Sequence, residues 1–287
     1  MGFFASVDGV ITPAHEARVS VLDNGFTFGD AVYETLRTYG GRPFHLDRHL
    51  RRLRSSAGRV RIAIAEEDAP LARRLDALLE RAANEESYIR IIVSRGVGEL
   101  SYRFDRVTGP TIVMVVKPYE PLPDPCYAAG VRVILSSLRR NSPRALDPAI
   151  KSCNLLNNIL AVQEAQAKGA MEPILLNDTG EVAEGAGSNV FHVKDGTLYT
   201  PPLDAGILPG VTRALVLDLC PALGLDAVEE PVAVKDLLAA DEAFLTSTLK
   251  EVLPIATIDG VPVGQGGPGP VTLRLLEAFR EYASRVR

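Results

Sequence analysis

Four prolines (Pro118, Pro121, Pro123 and Pro125) fall within the ten residues 117–126, KPYEPLPDPC. Each one locks φ and removes a backbone donor, so neither a helix nor a central strand is expected to run through this stretch. It reads as an extended interdomain linker over 118–128, separating an N-terminal α/β domain at 1–117 from a larger domain at 129–287. Both pieces are of ordinary domain size. A cleft between two such halves is the expected place for a small ligand.

The hydrophobic pattern supports mixed α and β structure in each half. Residues 3–7, the Asp8-Gly9 turn and Val10-Ile11 read as a hairpin. Val32, Glu34, Leu36 and Thr38 alternate as in a strand over 31–39. Leu46, Leu50, Leu53, Ala57 and Val60 recur at helical steps, as do Leu71, Leu75, Leu78 and Ala82. Runs at 88–94 and 111–116 are rich in β-branched residues and predict buried strands. In the second half, strands are expected at 131–135, 174–176, 190–193, 198–200 and 244–246. Helices are expected at 154–168, closed by Gly169, at 211–219 and at 271–284.

Composition excludes several classes. The chain is 46% hydrophobic and 23% charged with a net charge of −5, which argues against disorder and against a nucleic-acid partner. Cys126, Cys153 and Cys220 are odd in number and lack zinc-like spacing, as do His15, His45, His49 and His192, so no metal site is expected. The start, MGFFASVDGV, lacks a signal peptide's pattern and no apolar run is long enough for a membrane span. The expectation is a cytoplasmic protein with no membrane partner.

Lysine is scarce, six residues among 31 basic ones, and Lys151 lies among apolar residues in PAIKSCNLL. A lysine in an apolar pocket is a usable amine nucleophile for a Schiff base, although a solvent-directed loop lysine has the same local sequence. Glu184, in EVAEGAGSNVF, precedes small residues that allow a ligand to approach, and could pair with a protonated ring nitrogen. Leu208-Pro209-Gly210-Val211-Thr212-Arg213 offers helix-start amides and a hydroxyl to an anion. Thr246-Ser247-Thr248 adds three hydroxyls, and Arg52 could fork onto a phosphate. Singly, each reads more readily as a solvent-directed loop lysine, an ordinary turn or a wet helix face. Together they supply a Schiff-base amine, a pyridinium partner and a phosphate cup, the requirements of pyridoxal 5'-phosphate.

In order and spacing, these segments resemble the class IV aminotransferases, the fold-type IV pyridoxal-phosphate enzymes. That group includes branched-chain and D-amino acid aminotransferases and aminodeoxychorismate lyase. FGDAVYETLR, KSCNLLNNILAVQEA, EVAEGAGSNVFHVKDGTLYTPP, ILPGVTR and FLTSTLKEVLPI carry the likeness. It implies a two-domain α+β fold with a small N-terminal α/β domain and a larger barrel-like C-terminal one. It also implies a homodimer acting on an α-amino acid and a 2-oxo acid such as 2-oxoglutarate. By the same resemblance Lys151 is the Schiff-base lysine and Glu184 the partner of the pyridine nitrogen. Arg52, Val211, Thr212 and Thr248 form the phosphate cup with Ser247 as helper. Leu208 lies against the ring, and Tyr33 lies near the phenolic oxygen.

The substrate markers divide. Tyr88-Ile89-Arg90 and Arg37 match branched-chain enzymes, implying substrate roles for Tyr88, Arg90 and Arg37. Tyr102 is a further candidate to face the substrate because active sites favour loops, with an outward-facing tyrosine as the alternative. Phe28, Leu155 and KSCNLL lean to the D-amino acid branch, yet Leu100 and Tyr102 stand where that branch has its Arg-x-His carboxylate trap. Aliphatic or branched-chain L-amino acids are the favoured donors. The alternatives are a D-amino acid aminotransferase, an aminodeoxychorismate lyase-type enzyme, and a non-enzymatic binder that has kept the fold.

Overall fold

The computed structural model describes residues 2–285. Its described residues resolve into two compact units, the first comprising 2–120 together with Ile150–Asn154, the second Pro121–Ala149 and Leu155–Arg285.

In the first unit, β1 (Phe4–Val7) and β2 (Val10–Pro13) form the hairpin turned by Asp8-Gly9. A short helix α1 (Asn24–Phe28) leads into β3 (Ala31–Tyr39) and β4 (Arg42–Pro43). Helices α2 (Leu46–Arg59) and α3 (Asp68–Ala82) follow, then β5 (Ser87–Ser94) and β6 (Thr111–Pro118). The sheet runs β2-β1-β6-β5-β3-β4. Alternation decides its two faces. Leu36, Ile89, Ile91, Met114 and Val116 pack against Leu50, Leu53, Leu71, Leu75 and Leu78 of the helices, forming one core. The intervening residues Tyr33, Thr35, Tyr88 and Arg90 occupy the other face and are half-buried.

The linker is not wholly extended. β6 continues through Pro118, and α4 (Asp124–Ala128) begins inside the proline run. Pro123 caps this helix and Pro125 lies in its first turn, where a missing N–H leaves no intrahelical bond unmade. Proline clustering therefore does not keep the whole run extended.

The second unit continues with β7 (Val131–Arg139), α5 (Leu156–Ala167), β8 (Glu172–Leu176), β9 (Val182–Gly185), β10 (Asn189–Lys194) and β11 (Thr197–Thr200). Then come α6 (Val211–Leu219), β12 (Ala227–Glu229), α7 (Val234–Leu238), β13 (Glu242–Ser247), β14 (Glu251–Ile258), β15 (Val261–Pro262) and α8 (Pro270–Arg285). Its sheet order is β12-β11-β10-β13-β14-β7-β8-β9, and β9 also pairs with β10. Strands β10, β13, β14, β7, β8 and β9 thus form a closed, barrel-like ring. The closing register pair is Asn189 with Glu184. Phe191 and Phe244 stack at 5.0 Å between ring centroids, both fully buried. β14 has no counterpart in the sequence reading, and it carries Pro254, a residue that disfavours a central strand. It is nonetheless paired on both sides, antiparallel to β13 and parallel to β7.

Candidate active site

Lys151 sits on the short segment Ile150–Asn154, which lies along the start of β3. Val32 and Ser152 form a β-bridge, the Tyr33 N–H donates to the Lys151 carbonyl at 2.9 Å, and the Cys153 N–H donates to the Ala31 carbonyl at 2.8 Å. From the other side, the Lys151 N–H donates to Ser56 Oγ of α2 at 3.1 Å. The lysine backbone is therefore fixed by both a strand and a helix, which a loop reading of PAIKSC does not show. Its Nζ lies 4.6 Å from the centre of the Tyr33 ring, and the Arg90 guanidinium is 4.0 Å from the same ring. Burial pushes the Tyr33 phenol above its ordinary range, with Arg90 opposing. The Cys153 thiol is likewise raised by burial, against the charge and hydrogen bond of Arg90.

Arg37 and Tyr88 face each other across β3 and β5 in register. The Arg37 guanidinium lies over two rings, 4.0 Å from the centre of Tyr39 and 3.7 Å from that of Tyr119. Tyr88 has the Lys117 ammonium 5.5 Å from its ring centre. Tyr102 is 88% exposed, its ring 5.3 Å from Phe28.

On the core side of β3, Glu34 is fully buried and accepts from Arg52 Nε at 2.7 Å and Nη2 at 2.8 Å, and it pairs with His49 Nδ1 at 2.7 Å. Two nitrogens of Arg52, Nε and Nη2, are thus held by a carboxylate that sequence reading did not single out. Burial alone would raise the Glu34 pKa, but the Arg52 charge and hydrogen bonds, with His49, outweigh it and hold it near about 2. Burial lowers the pKa of His49, and its Nε2 has no hydrogen-bond partner among the described residues.

In the second unit Glu184 is buried at the closing bridge of the barrel. Its Oε1 accepts from Arg140 Nε at 2.8 Å, and its Oε2 accepts from the Leu208 N–H at 2.9 Å and Asn189 Nδ2 at 3.3 Å. Asn189 Nδ2 also donates to the Leu208 carbonyl at 3.0 Å. Glu184, Asn189 and Leu208 are thereby tied into one cluster.

Two residues on, α6 opens with Gly210 as N-cap and no side-chain cap. Such a start leaves helix amides without intrahelical acceptors. Thr212 beside them is buried, and its Oγ1 has no partner among the described residues. Thr246 Oγ1, at the end of β13, is in the same condition. Ser247 Oγ accepts the Lys250 N–H at 3.2 Å, holding the turn that contains Thr248. Lys250 Nζ pairs with the buried Glu172, whose Oε1 accepts from the Gly187 N–H and Ser188 Oγ at 2.8 and 2.6 Å. Burial brings the Lys250 pKa down to about 8. Uncapped helix amides with an orphaned buried hydroxyl suit a phosphate dianion. A carboxylate that meets three donors and keeps one acceptor site suits a protonated ring nitrogen, and Lys151 suits an aldehyde. The donor set fits pyridoxal 5'-phosphate.

Residues 31–258 match the family model described as amino-transferase class IV. The chain belongs to the class IV aminotransferases. A Methanocaldococcus jannaschii protein named for branched-chain-amino-acid aminotransferase activity is 39% identical over 97% of this chain and 96% of its own length. The D-alanine aminotransferase of Bacillus licheniformis is 36% identical over 95% of this chain and 94% of its own. Among solved structures, the branched-chain amino acid aminotransferase from Thermobaculum terrenum in its PLP-form superposes with a TM-score of 0.88. It is 30% identical and covers 99% of this chain and 94% of that one. This class IV aminotransferase therefore has the two-domain α+β, fold-type IV architecture and is a pyridoxal-phosphate enzyme.

Arg140, Asn189 and Glu34 escaped the sequence reading. Their only signal was polarity beside a strand otherwise apolar, or an arginine pair at 139–140, and neither separates a buried partner from a solvated one. Among the described residues no group of three or more His, Cys, Asp or Glu could hold a metal ion, and no helix is long and apolar enough to cross a membrane.

Proposed function

We propose that this aminotransferase moves the amino group of an aliphatic or branched-chain L-amino acid to a 2-oxo acid such as 2-oxoglutarate, working as a cytoplasmic homodimer. The observation that carries the reading is the fixed placement of Lys151 beside Tyr33 and Arg90. The Methanocaldococcus jannaschii relative and the Thermobaculum terrenum structure support branched-chain donors. Leu100, 70% exposed, and Tyr102 offer no cation for a D-amino acid carboxylate. Exposed Leu156, Ile159 and Leu160 on α5 give an apolar surface suited to a second copy. Three free cysteines are in keeping with a reducing compartment.

When bound, pyridoxal phosphate supplies an aldehyde that exchanges amines and a ring that takes up the electron pair left by the departing Cα proton. Lys151 holds the aldehyde and, once released, takes and returns the Cα proton at its Nζ. Glu184 would serve as counter-anion to the ring nitrogen. Val211 and Thr212 would hold the phosphate with Ser247, Thr248 and Arg52, Leu208 would support the ring, and Tyr33 would serve the phenolic oxygen. Arg90, Tyr88, Arg37 and Tyr102 serve the substrate.

Borohydride treatment of the holoenzyme followed by peptide mapping is expected to place a pyridoxyl group on Lys151, and Lys151→Ala to abolish both the adduct and turnover. An adduct elsewhere, or none, would overturn the reading. Adding L-leucine without acceptor is expected to change the cofactor absorbance faster than D-alanine does. The reverse order would favour the second reading, a D-amino acid aminotransferase, to which the Bacillus licheniformis likeness points. Continuous pyruvate release without acceptor would instead indicate a lyase.

A further inference from the structure

Arg140 stands immediately beyond β7, where its N–H donates to the Leu176 carbonyl of β8 at 2.8 Å. Its guanidinium is clamped at two points. Nε donates to Glu184 Oε1 at 2.8 Å, and Nη1 donates to Asn157 Oδ1 at 3.2 Å. Asn157 is itself fixed, since its Nδ2 donates to the Arg139 carbonyl at 2.8 Å. The Arg140 and Glu184 side chains are only 9% and 5% exposed. A buried ion pair is weak as a stabilising device, because desolvation offsets most of the attraction. Its geometry is nevertheless well defined.

A carboxylate offers about four acceptor sites. On Glu184 the Leu208 and Asn189 donors fill both sites of Oε2, and Arg140 fills one of Oε1. The acceptor site left over belongs to the oxygen that Arg140 grips. From this arrangement we propose that Arg140 is a positioning residue for transamination: by holding Oε1 of Glu184 it sets how that carboxylate meets the ring nitrogen of pyridoxal phosphate. This rests on the functional reading given above.

Two effects of Arg140 oppose each other. Its charge, one group removed from the ring nitrogen, disfavours a proton there. Its hydrogen bond keeps the counter-anion in place, which favours the proton. A nearby charge moves a pKa by about 1–3 units, and the fully aimed anion is the nearer of the two charges. Positioning therefore prevails, and loss of Arg140 lowers the proton affinity of the ring.

The test uses holoenzyme reconstituted with pyridoxal phosphate carrying 15N in the ring. In wild type the 15N resonance is expected at the protonated position at neutral pH. Arg140→Met is expected to move it toward the neutral position and to lower kcat about tenfold or more, with the donor KM changed less than about threefold. Arg140→Lys is expected to recover part of both. Asn157→Ala leaves both charges present while freeing the guanidinium, and is expected to give a smaller shift in the same direction, so the test survives a poorly folding Met variant. An unmoved resonance with kcat within twofold of wild type in Arg140→Met, or an unmoved resonance in Asn157→Ala where only that variant folds, overturns the proposal. A wild-type protein without the Lys151 adduct would instead overturn the functional reading itself.

Discussion

Glu34 grips Arg52 through both carboxylate oxygens, at 2.7 and 2.8 Å, in the interior of the first unit. The side chains are 0% and 10% exposed, so water screens the pair little. Removing one member of a buried pair leaves a charge without compensation, at a cost of about 3–5 kcal/mol. Glu34→Ala is expected to lower the unfolding free energy by that order in urea denaturation, and to weaken cofactor binding by releasing Arg52.

The same carboxylate sets an acid limit. Its pKa falls from 4.5 to about 2 on folding, so the linked stability is fully present above 4.5. It is lost as pH falls from there towards about 2. Wild type is expected to lose stability through this window in denaturant titrations at several pH values, and Glu34→Gln to show a flatter profile.

Thr212→Val exchanges a buried hydroxyl for a methyl group of similar shape. In the apoprotein the hydroxyl has no partner among the described residues, so apo stability is expected to stay level or rise. If the hydroxyl donates to the phosphate, the holoenzyme loses a hydrogen bond to a charged group, about 1.5–3 kcal/mol. Pyridoxal phosphate affinity, measured by fluorescence titration, is expected to fall about tenfold or more while the apo melting temperature does not.

A Cβ at residue 210 would collide with Asn189 Oδ1. Gly210→Ala is therefore expected to displace the amide that ties Leu208 to Glu184, costing about 1–3 kcal/mol as overpacking does. Thermal unfolding of the apoprotein measures that cost. Weaker cofactor binding is expected to accompany it.

Burial pushes the Cys220 thiol up to about 11. Cys220 is 1% exposed, whereas Cys126 and Cys153 are partly exposed. Iodoacetamide at pH 8 is expected to label Cys126 first and Cys220 only on unfolding, as read by peptide mass mapping.

Much of the fold was legible because local rules and tertiary context agree. The alternation at Val32, Glu34, Leu36 and Thr38 marked β3, and Pro209-Gly210 marked the start of α6. β14 was not legible, since Pro254 contradicts its central place in the sheet and only pairing on both sides stabilises it. Lys151 and Glu184 stood out as unusual residues in apolar or glycine-rich settings. Their supports did not. Glu34 reads as one member of an alternating strand, and only the fold brings α2 over it so that Arg52 and His49 arrive. Arg140 and Glu184 lie 44 residues apart and meet because β7, β8 and β9 are neighbours in the ring.

Ile150–Asn154 completes the first unit from a distant part of the chain. A nascent polypeptide that has released β1 to β6 from the ribosome still has the first residues of β3 uncovered on one side, because their bridging partners near Ser152 have not yet been translated. An uncovered strand edge is prone to pair with another chain. The interval between synthesis of residues 120 and 154 is then a window of aggregation risk, and a gene fragment cut at the proline run yields an N-terminal piece that keeps that edge permanently open.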